Sequence, residues 1–107
     1  MNKIVLSCDA QEDLREIRDY ITAELENPDA AMRVIAKITA RLRMLEKHGE
    51  LGAPLRNITQ SESEYRYLVC GSYLAFYRFG ENIVYVDRVL YGRRDYLRVL
   101  FGEETEQ

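Results

Sequence analysis

The sequence predicts a single α+β domain with an N-terminal strand, an antiparallel helical hairpin packed on an antiparallel sheet with a C-terminal three-strand meander, and a short C-terminal helix. Two apolar stripes with helical spacing occupy the first half, and three runs rich in tyrosine, valine and phenylalanine occupy the second. A chain of 107 residues has room for one core. We therefore expect residues 1–101 to form one domain and the acidic residues 102–107 to fray.

The chain begins with a predicted strand, Lys3 to Ser7, followed by a helix. Asp9 and Glu12 have the spacing of a capping box, which predicts that the helix opens at Asp9. Its apolar residues are four, three, four and four positions apart and therefore share one face. These residues are Ala10, Leu14, Ile17, Ile21 and Leu25.

A second helix is predicted directly after the first. Asn27 supplies an N-cap and Pro28 a first-turn proline, and Gly49 marks the predicted end. The short link between the helices predicts an antiparallel hairpin. The apolar face of this helix consists of Ala31, Val34, Ile35, Ile38, Leu42 and Leu45.

The second half of the chain begins with a polar loop, residues 49–64, that has no periodicity of its own. Three strands are then predicted, at residues 65–69, 73–79 and 83–91, joined by short glycine-bearing links typical of hairpins. A final short helix from Arg94 to Phe101 would pack Leu97, Leu100 and Phe101 on the sheet. With both helices on one face, the other face is predicted to be open.

Charge is unevenly distributed along the chain. The net charge is -3, yet residues 65–101 carry six basic groups, all arginine, against three acidic groups. Arginine has a planar fork that suits phosphate and carboxylate, so this segment predicts a locally basic surface on an acidic protein of pI about 5.2.

Several functional classes are not supported by the sequence. It contains no glycine-rich phosphate loop, nucleophile elbow or metal-ligand set, and we expect no cofactor. His48, the one histidine, is interpreted as a favourable charge at a helix end. Cys8 and Cys70 are interpreted as reduced thiols facing the core, and the N-terminus resembles neither a signal peptide nor an anchor, so we expect a cytoplasmic protein.

Arginines mark one face of each late strand. Arg66, Arg78 and Arg88 each share strand parity with apolar neighbours. Because burying an unpaired guanidinium under the helices would be costly, we expect these faces to point away from the helices and most tyrosines to face the core. The alternative, that each guanidinium simply reaches solvent at a sheet edge, is equally compatible with the sequence.

The order of these elements and residues resembles the RelE/ParE superfamily of bacterial type II toxins, which act in plasmid stabilisation. The resemblance rests on residues 13–21 with Asn27-Pro28 and Leu45 for the paired helices, and on residues 71–78 and 88–95 for the strand motifs. It extends from Ile4 to Phe101.

The resemblance implies a growth-inhibitory toxin that a cognate antitoxin neutralises. RelE-like members cleave mRNA in the ribosomal A site, whereas ParE-like members poison DNA gyrase. Leu74 stands where RelE-like toxins carry an arginine, and Tyr91 stands where many relatives carry a histidine. The strand motifs are closer in character to ParE, so gyrase is the favoured target.

Two alternatives remain open at this stage. The first is a metal-independent, ribosome-dependent endoribonuclease in which Arg93 matches the transition-state arginine, Arg78 is the nearest substitute for the missing one, and Tyr91 serves in proton transfer. The second is an inactive member that only binds the antitoxin. Whichever target applies, the residues expected to bind target or antitoxin are Arg66, Phe76, Arg88, Arg94 and Arg98.

Overall fold

The structure, a computed structural model, describes residues 1–55, 64–92 and 99–100. Two helices pack on one face of a five-stranded sheet whose strand order is β1-β5-β4-β3-β2. The predicted α+β architecture is confirmed. The elements are β1 (Lys3–Leu6), α1 (Cys8–Leu25), α2 (Pro28–Arg43), β2 (Ala53–Pro54), β3 (Arg66–Cys70), β4 (Tyr73–Gly80) and β5 (Ile83–Tyr91).

The sheet is mixed. The meander of β3, β4 and β5 is antiparallel as predicted, but β1 pairs in parallel with β5, with Lys3 opposite Ile83. The helical hairpin between β1 and the meander supplies the long crossover that a parallel pair needs. The predicted loop also contains a strand, β2, which pairs with β3. Because β2 has only two residues and one is proline, its sequence shows no alternating pattern from which a strand could be predicted.

The helix boundaries differ from the prediction at two ends. Ser7, not Asp9, caps α1: its hydroxyl oxygen accepts from the Ala10 amide at 2.9 Å. Because β1 ends at Leu6, Ser7 is the extended residue at the strand–helix junction and occupies the cap position. Asn27 caps α2 as predicted, but α2 ends at Arg43 and a 3₁₀ turn of Met44–Glu46 follows, so the predicted end at Gly49 is too late.

A bulge interrupts the pairing of β4 with β5. Tyr77 lies opposite Val86 and Phe76 opposite Arg88, so Asp87 is the extra residue. The turn that joins these strands, Glu81-Asn82, has positive φ at both residues, 50° and 67°, as a type I′ hairpin requires. The bulge changes the alternation along β5, and as a result Val86 and Val89 both face the helices.

Apolar side chains cover both faces of the sheet. The larger core lies between the helices and the sheet and includes Ile17, Ile38, Ala75, Tyr77, Val84, Val86 and Val89. On the opposite face Leu55, Phe76 and Leu90 are also buried, with Val99 and Leu100 packed against them. The predicted open face is therefore wrong over this area. Leu55 and Tyr65, together with the helical residues Val99 and Leu100, pack on apolar strand residues that the two helices do not cover.

Candidate functional site

The three strand arginines do not share a face. Arg66 has the parity of Leu68, which lies in the helix-side core, and its guanidinium donates to the Gly52 carbonyl at 2.6 Å. It also lies over the ring of Phe79, 5.5 Å from the ring centroid. The expectation that all three arginines point away from the helices is therefore wrong for Arg66, and also for Arg88, whose guanidinium binds Asp13 of α1. The relative register of the strands and the bulge in β5 decide this, and neither can be read from parity within one strand.

The tyrosines divide in the same way. Tyr73 and Tyr77 pack on the helix side as predicted, whereas Tyr65 and Tyr67 pack on the opposite face with Phe76. Phe76, a predicted contact residue, is completely buried. Its side chain is therefore part of the second core in this structure.

Arg78 and Arg88 do come together, in a polar cleft of about 250 Å³ that we call the arginine cleft. It lies where the end of β1, the bulge of β5 and the helical residues Val99 and Leu100 meet. Two aspartates and two arginines line it, so the charges of these residues sum to zero. The lining residues are Ser7, Asp9, Tyr65, Arg78, Asp87, Arg88, Val99 and Leu100.

Arg78 is held by a carboxylate and an aromatic ring. Its guanidinium donates twice to Asp87, from Nε to Oδ2 at 3.0 Å and from Nη2 to Oδ1 at 3.4 Å. Its guanidinium carbon lies 5.7 Å from the centroid of Tyr65. The hydrogen bond that Arg78 donates to Asp87 raises the pKa of Arg78. Burial, followed by a hydrogen bond with Asp87, raises the pKa of Tyr65. Each of these groups is thus fixed by its neighbours.

Arg88 forms a more buried ion pair with α1. Two of its nitrogens donate to the two carboxylate oxygens of Asp13, each at 2.8 Å, and the Val89 amide donates to the same carboxylate at 2.9 Å. The hydrogen bonds that Arg88 donates to Asp13 raise the pKa of Arg88. The pairing of β1 with β5 ends at Leu6 and Val86, so β1 offers no carbonyl to the Val89 amide beyond it. The Asp13 carboxylate is the acceptor for that amide instead.

Asp13 is not among the site residues that the sequence predicted. The acidic residues of α1 alternate with arginines, which is typical of a solvated helix face, yet Asp13 is 4% exposed. The spacing contains a signal for this position, because Asp13 follows Ala10 by three residues and precedes Ile17 by four, and so lies within the apolar stripe. An acidic residue in such a stripe indicates a buried partner.

A second cleft lies on the helix side, between α1 and the ends of β4 and β5. We call it the tyrosine cleft. It has a volume of about 370 Å³ and is lined by Asp13, Glu16, Ile17, Tyr20, Tyr73, Val89, Leu90 and Tyr91. Tyr91 meets Tyr73 edge to face, with ring centroids 5.8 Å apart, and is 46% exposed. Tyr91 is therefore accessible, but it belongs to a different cleft from Arg78.

The distance between Tyr91 and Arg78 follows from the strand register. Tyr91 pairs with Tyr73, and Arg78 is five residues further along β4. At about 3.4 Å per residue this is a separation of about 17 Å along the sheet. The structure thus does not bring these two candidate catalytic residues to one phosphate. The other candidates, Arg93, Arg94 and Arg98, lie outside the described residues, as do Leu97, Phe101 and the acidic tail.

Other kinds of site were sought in the same part of the chain. Across residues 1–55, 64–92 and 99–100, no three His, Cys, Asp or Glu residues are grouped so that they could hold a metal ion. No helix in these ranges has the length and apolar character needed to span a membrane. Both cysteines are free, but Cys8 is exposed and only Cys70 is buried, so the expectation of two core-facing thiols is wrong for Cys8.

Comparison with known proteins identifies first the fold and then the family. The structure is similar to a solved structure described as the chromosomal ParDE TA system from P. aeruginosa, with a TM-score of 0.70, 21% sequence identity, and coverage of 85% of this chain and 96% of that chain. Residues 4–96 match the family described as the ParE toxin of the type II toxin-antitoxin system, parDE. The chain belongs to the ParE toxin family, within the RelE/ParE superfamily. A search of curated proteins found no match.

Proposed function

We propose that this chain is a growth-inhibiting toxin that acts on DNA gyrase and that a cognate antitoxin neutralises. The observation that carries the proposal is the family match over residues 4–96. ParE-like toxins are the gyrase-directed branch of the superfamily that the sequence resembles. Inhibition would then come from binding to gyrase, without chemistry by the toxin itself.

The arrangement of the arginines supports binding over phosphate cleavage. Arg78 and Arg88 each carry a carboxylate partner, Asp87 and Asp13, so their charge is already balanced within the fold. A group that stabilises a developing phosphate charge needs donors aimed at that charge. With Tyr91 about 17 Å further along the sheet, Arg78 and Tyr91 cannot act together on one scissile bond.

An antitoxin is expected to add to the exposed edge of β3. The two-residue strand β2 pairs only with Arg66 and Tyr67, so the outer edge of β3 continues beyond it. Val69 lies there and is 50% exposed, and Arg41 donates to its carbonyl at 3.1 Å. An extended partner segment could add along such an edge while an amphipathic helix supplies apolar anchors. The structural match to a ParDE toxin-antitoxin system supports an antitoxin as the partner.

The test separates the two targets directly. Purified chain is added to a gyrase supercoiling reaction and, in parallel, to a translating extract in which mRNA ends are mapped. We expect inhibited supercoiling and intact mRNA. Cleavage of ribosome-bound message at codon positions would reverse the target assignment, and a chain that neither slows growth nor affects either reaction would be an inactive antitoxin-binding member.

A further inference from the structure

The tyrosine cleft combines aromatic rings with a surplus of negative charge. Tyr20 on α1, Tyr73 on β4 and Tyr91 on β5 reach it from three elements of the fold. The rings of Tyr73 and Tyr91 meet edge to face, with centroids 5.8 Å apart. Burial, followed by electrostatic interaction with Tyr91 and Tyr20, raises the pKa of Tyr73. Tyr20 and Tyr91 are 64% and 46% exposed, so their rings are accessible to a ligand that enters the cleft.

Glu16 supplies the charge. It lies one turn before Tyr20 on α1 and lines the same cleft. Asp13, Asp9 and Glu16 all act electrostatically on Arg88, but Asp13 alone forms the ion pair with it. Among the described residues Glu16 has no ion pair of its own, so its carboxylate leaves the cleft with net negative charge.

Rings and a carboxylate arranged in this way favour a cation. A guanidinium or ammonium group over a tyrosine face is attracted by the ring quadrupole, and a carboxylate at the rim adds charge complementarity. The volume of about 370 Å³ is at the small end of ligand cavities. A cleft of this size suits one long basic side chain better than a large cofactor.

We propose that the tyrosine cleft receives an arginine or lysine side chain from the antitoxin, held by Tyr20, Tyr73, Tyr91 and the carboxylate of Glu16. Attributing this side chain to an antitoxin rests on the function proposed above; the preference of the cleft for a cation does not. A site for a cation is opposite in sign to the basic surface that the arginines of residues 65–101 predict, so a partner would need complementary charges of both signs. This requirement would therefore fix the orientation of the partner across the end of the sheet.

The first experiment uses the isolated chain and needs no partner. The aromatic side-chain NMR signals are followed while acetyl-arginine amide is added, and the titration is repeated with acetyl-citrulline amide, its neutral isostere. We expect saturable shifts of Tyr20, Tyr73 and Tyr91 with the arginine probe, and a roughly three- to thirtyfold weaker response with citrulline. Equal binding of both probes, or no response of these tyrosines, would overturn the cation site.

Two variants make the result specific. Glu16→Gln should weaken the arginine response several-fold, whereas Glu12→Gln, the same charge change one turn earlier and outside the cleft, should leave it unchanged. Loss of binding in both variants would mean that general acidity, not this site, attracts the probe. If the wild type binds nothing but the Arg93→Ala/Arg94→Ala double variant does bind, the cleft is occupied by the chain's own arginines and the proposal is wrong.

The second experiment tests the source of the side chain. The toxin is co-expressed with the product of the neighbouring reading frame, and the affinity of the complex is measured with Glu16→Gln and Glu12→Gln. We expect a roughly three- to thirtyfold loss for Glu16→Gln alone. An unchanged affinity would remove the antitoxin as the occupant. Failure of that product to bind at all would count against the proposed function instead and would leave the probe titration standing.

Discussion

Replacing Asp13 by alanine should destabilise the fold far more than any other substitution of an acidic residue on α1. The change leaves the Arg88 guanidinium, whose side chain is 23% exposed, without its carboxylate, and leaves the buried Val89 amide without an acceptor. Removing one partner of a buried ion pair costs about 3–5 kcal/mol. Because Arg88 keeps some access to water, we expect a loss of about 3–4 kcal/mol in the free energy of unfolding.

Two comparisons separate the charge from the hydrogen bonds. Asp13→Asn keeps one carbonyl oxygen as an acceptor and should lose less, about 1–2 kcal/mol. Asp19→Ala removes an exposed carboxylate of the same helix, paired with Arg18 at 3.1 Å, and should lose under about 0.5 kcal/mol. In the double variant Asp13→Ala/Arg88→Met the unpaired cation is gone, and part of the loss, on the order of 1–3 kcal/mol, should be recovered.

Urea unfolding followed by circular dichroism gives these free energies, provided that the dependence on urea is the same for all variants. A loss of 3–4 kcal/mol is a large fraction of the roughly 5–15 kcal/mol that stabilises a small domain. If Asp13→Ala unfolds within about 1 kcal/mol of the wild type, the carboxylate does not hold the end of β5 and the argument fails.

Three further results are expected. Tyr77→Phe should lose about 1–3 kcal/mol in urea unfolding, because the Tyr77 hydroxyl donates to the Gly49 carbonyl at 2.7 Å and accepts from the Gly52 amide at 2.8 Å; an unchanged midpoint would contradict this. Burial raises the pKa of the Cys70 thiol from 9.0 to about 11. The neutral thiol therefore stabilises the fold below pH 9, and this stabilisation is lost as the pH rises towards 11. Over that pH range, the free energy of unfolding should fall less steeply with pH in Cys70→Ala than in the wild type. Arg93→Ala should abolish growth inhibition at an unchanged melting temperature. Arg43 is an exposed arginine outside both clefts, and Arg43→Ala should leave growth inhibition intact. A folded Arg93→Ala protein that still arrests growth would refute the role of Arg93.

The local pattern of the sequence determined most of the elements. The apolar spacing of α1 and α2, the Asn27-Pro28 start and the glycine-bearing links act over a few residues, and backbone geometry converts them directly into helices and hairpins. These features also carried the resemblance to the RelE/ParE superfamily, which the family match over residues 4–96 confirms. The six arginines of residues 65–101 predicted a basic surface, but their spacing did not determine which of them lie together.

The tertiary structure decided which side chains meet. The parallel pairing of β1 with β5, the bulge at Asp87 and the burial of Asp13 depend on contacts between residues far apart in the chain. A change of one residue in strand register moves a side chain to the opposite face, so the positions of Arg66 and Tyr65 could not follow from parity alone. For the same reason, only the folded chain places Arg78 and Arg88 in one cleft and Tyr91 in another, because these positions are set by packing across the sheet.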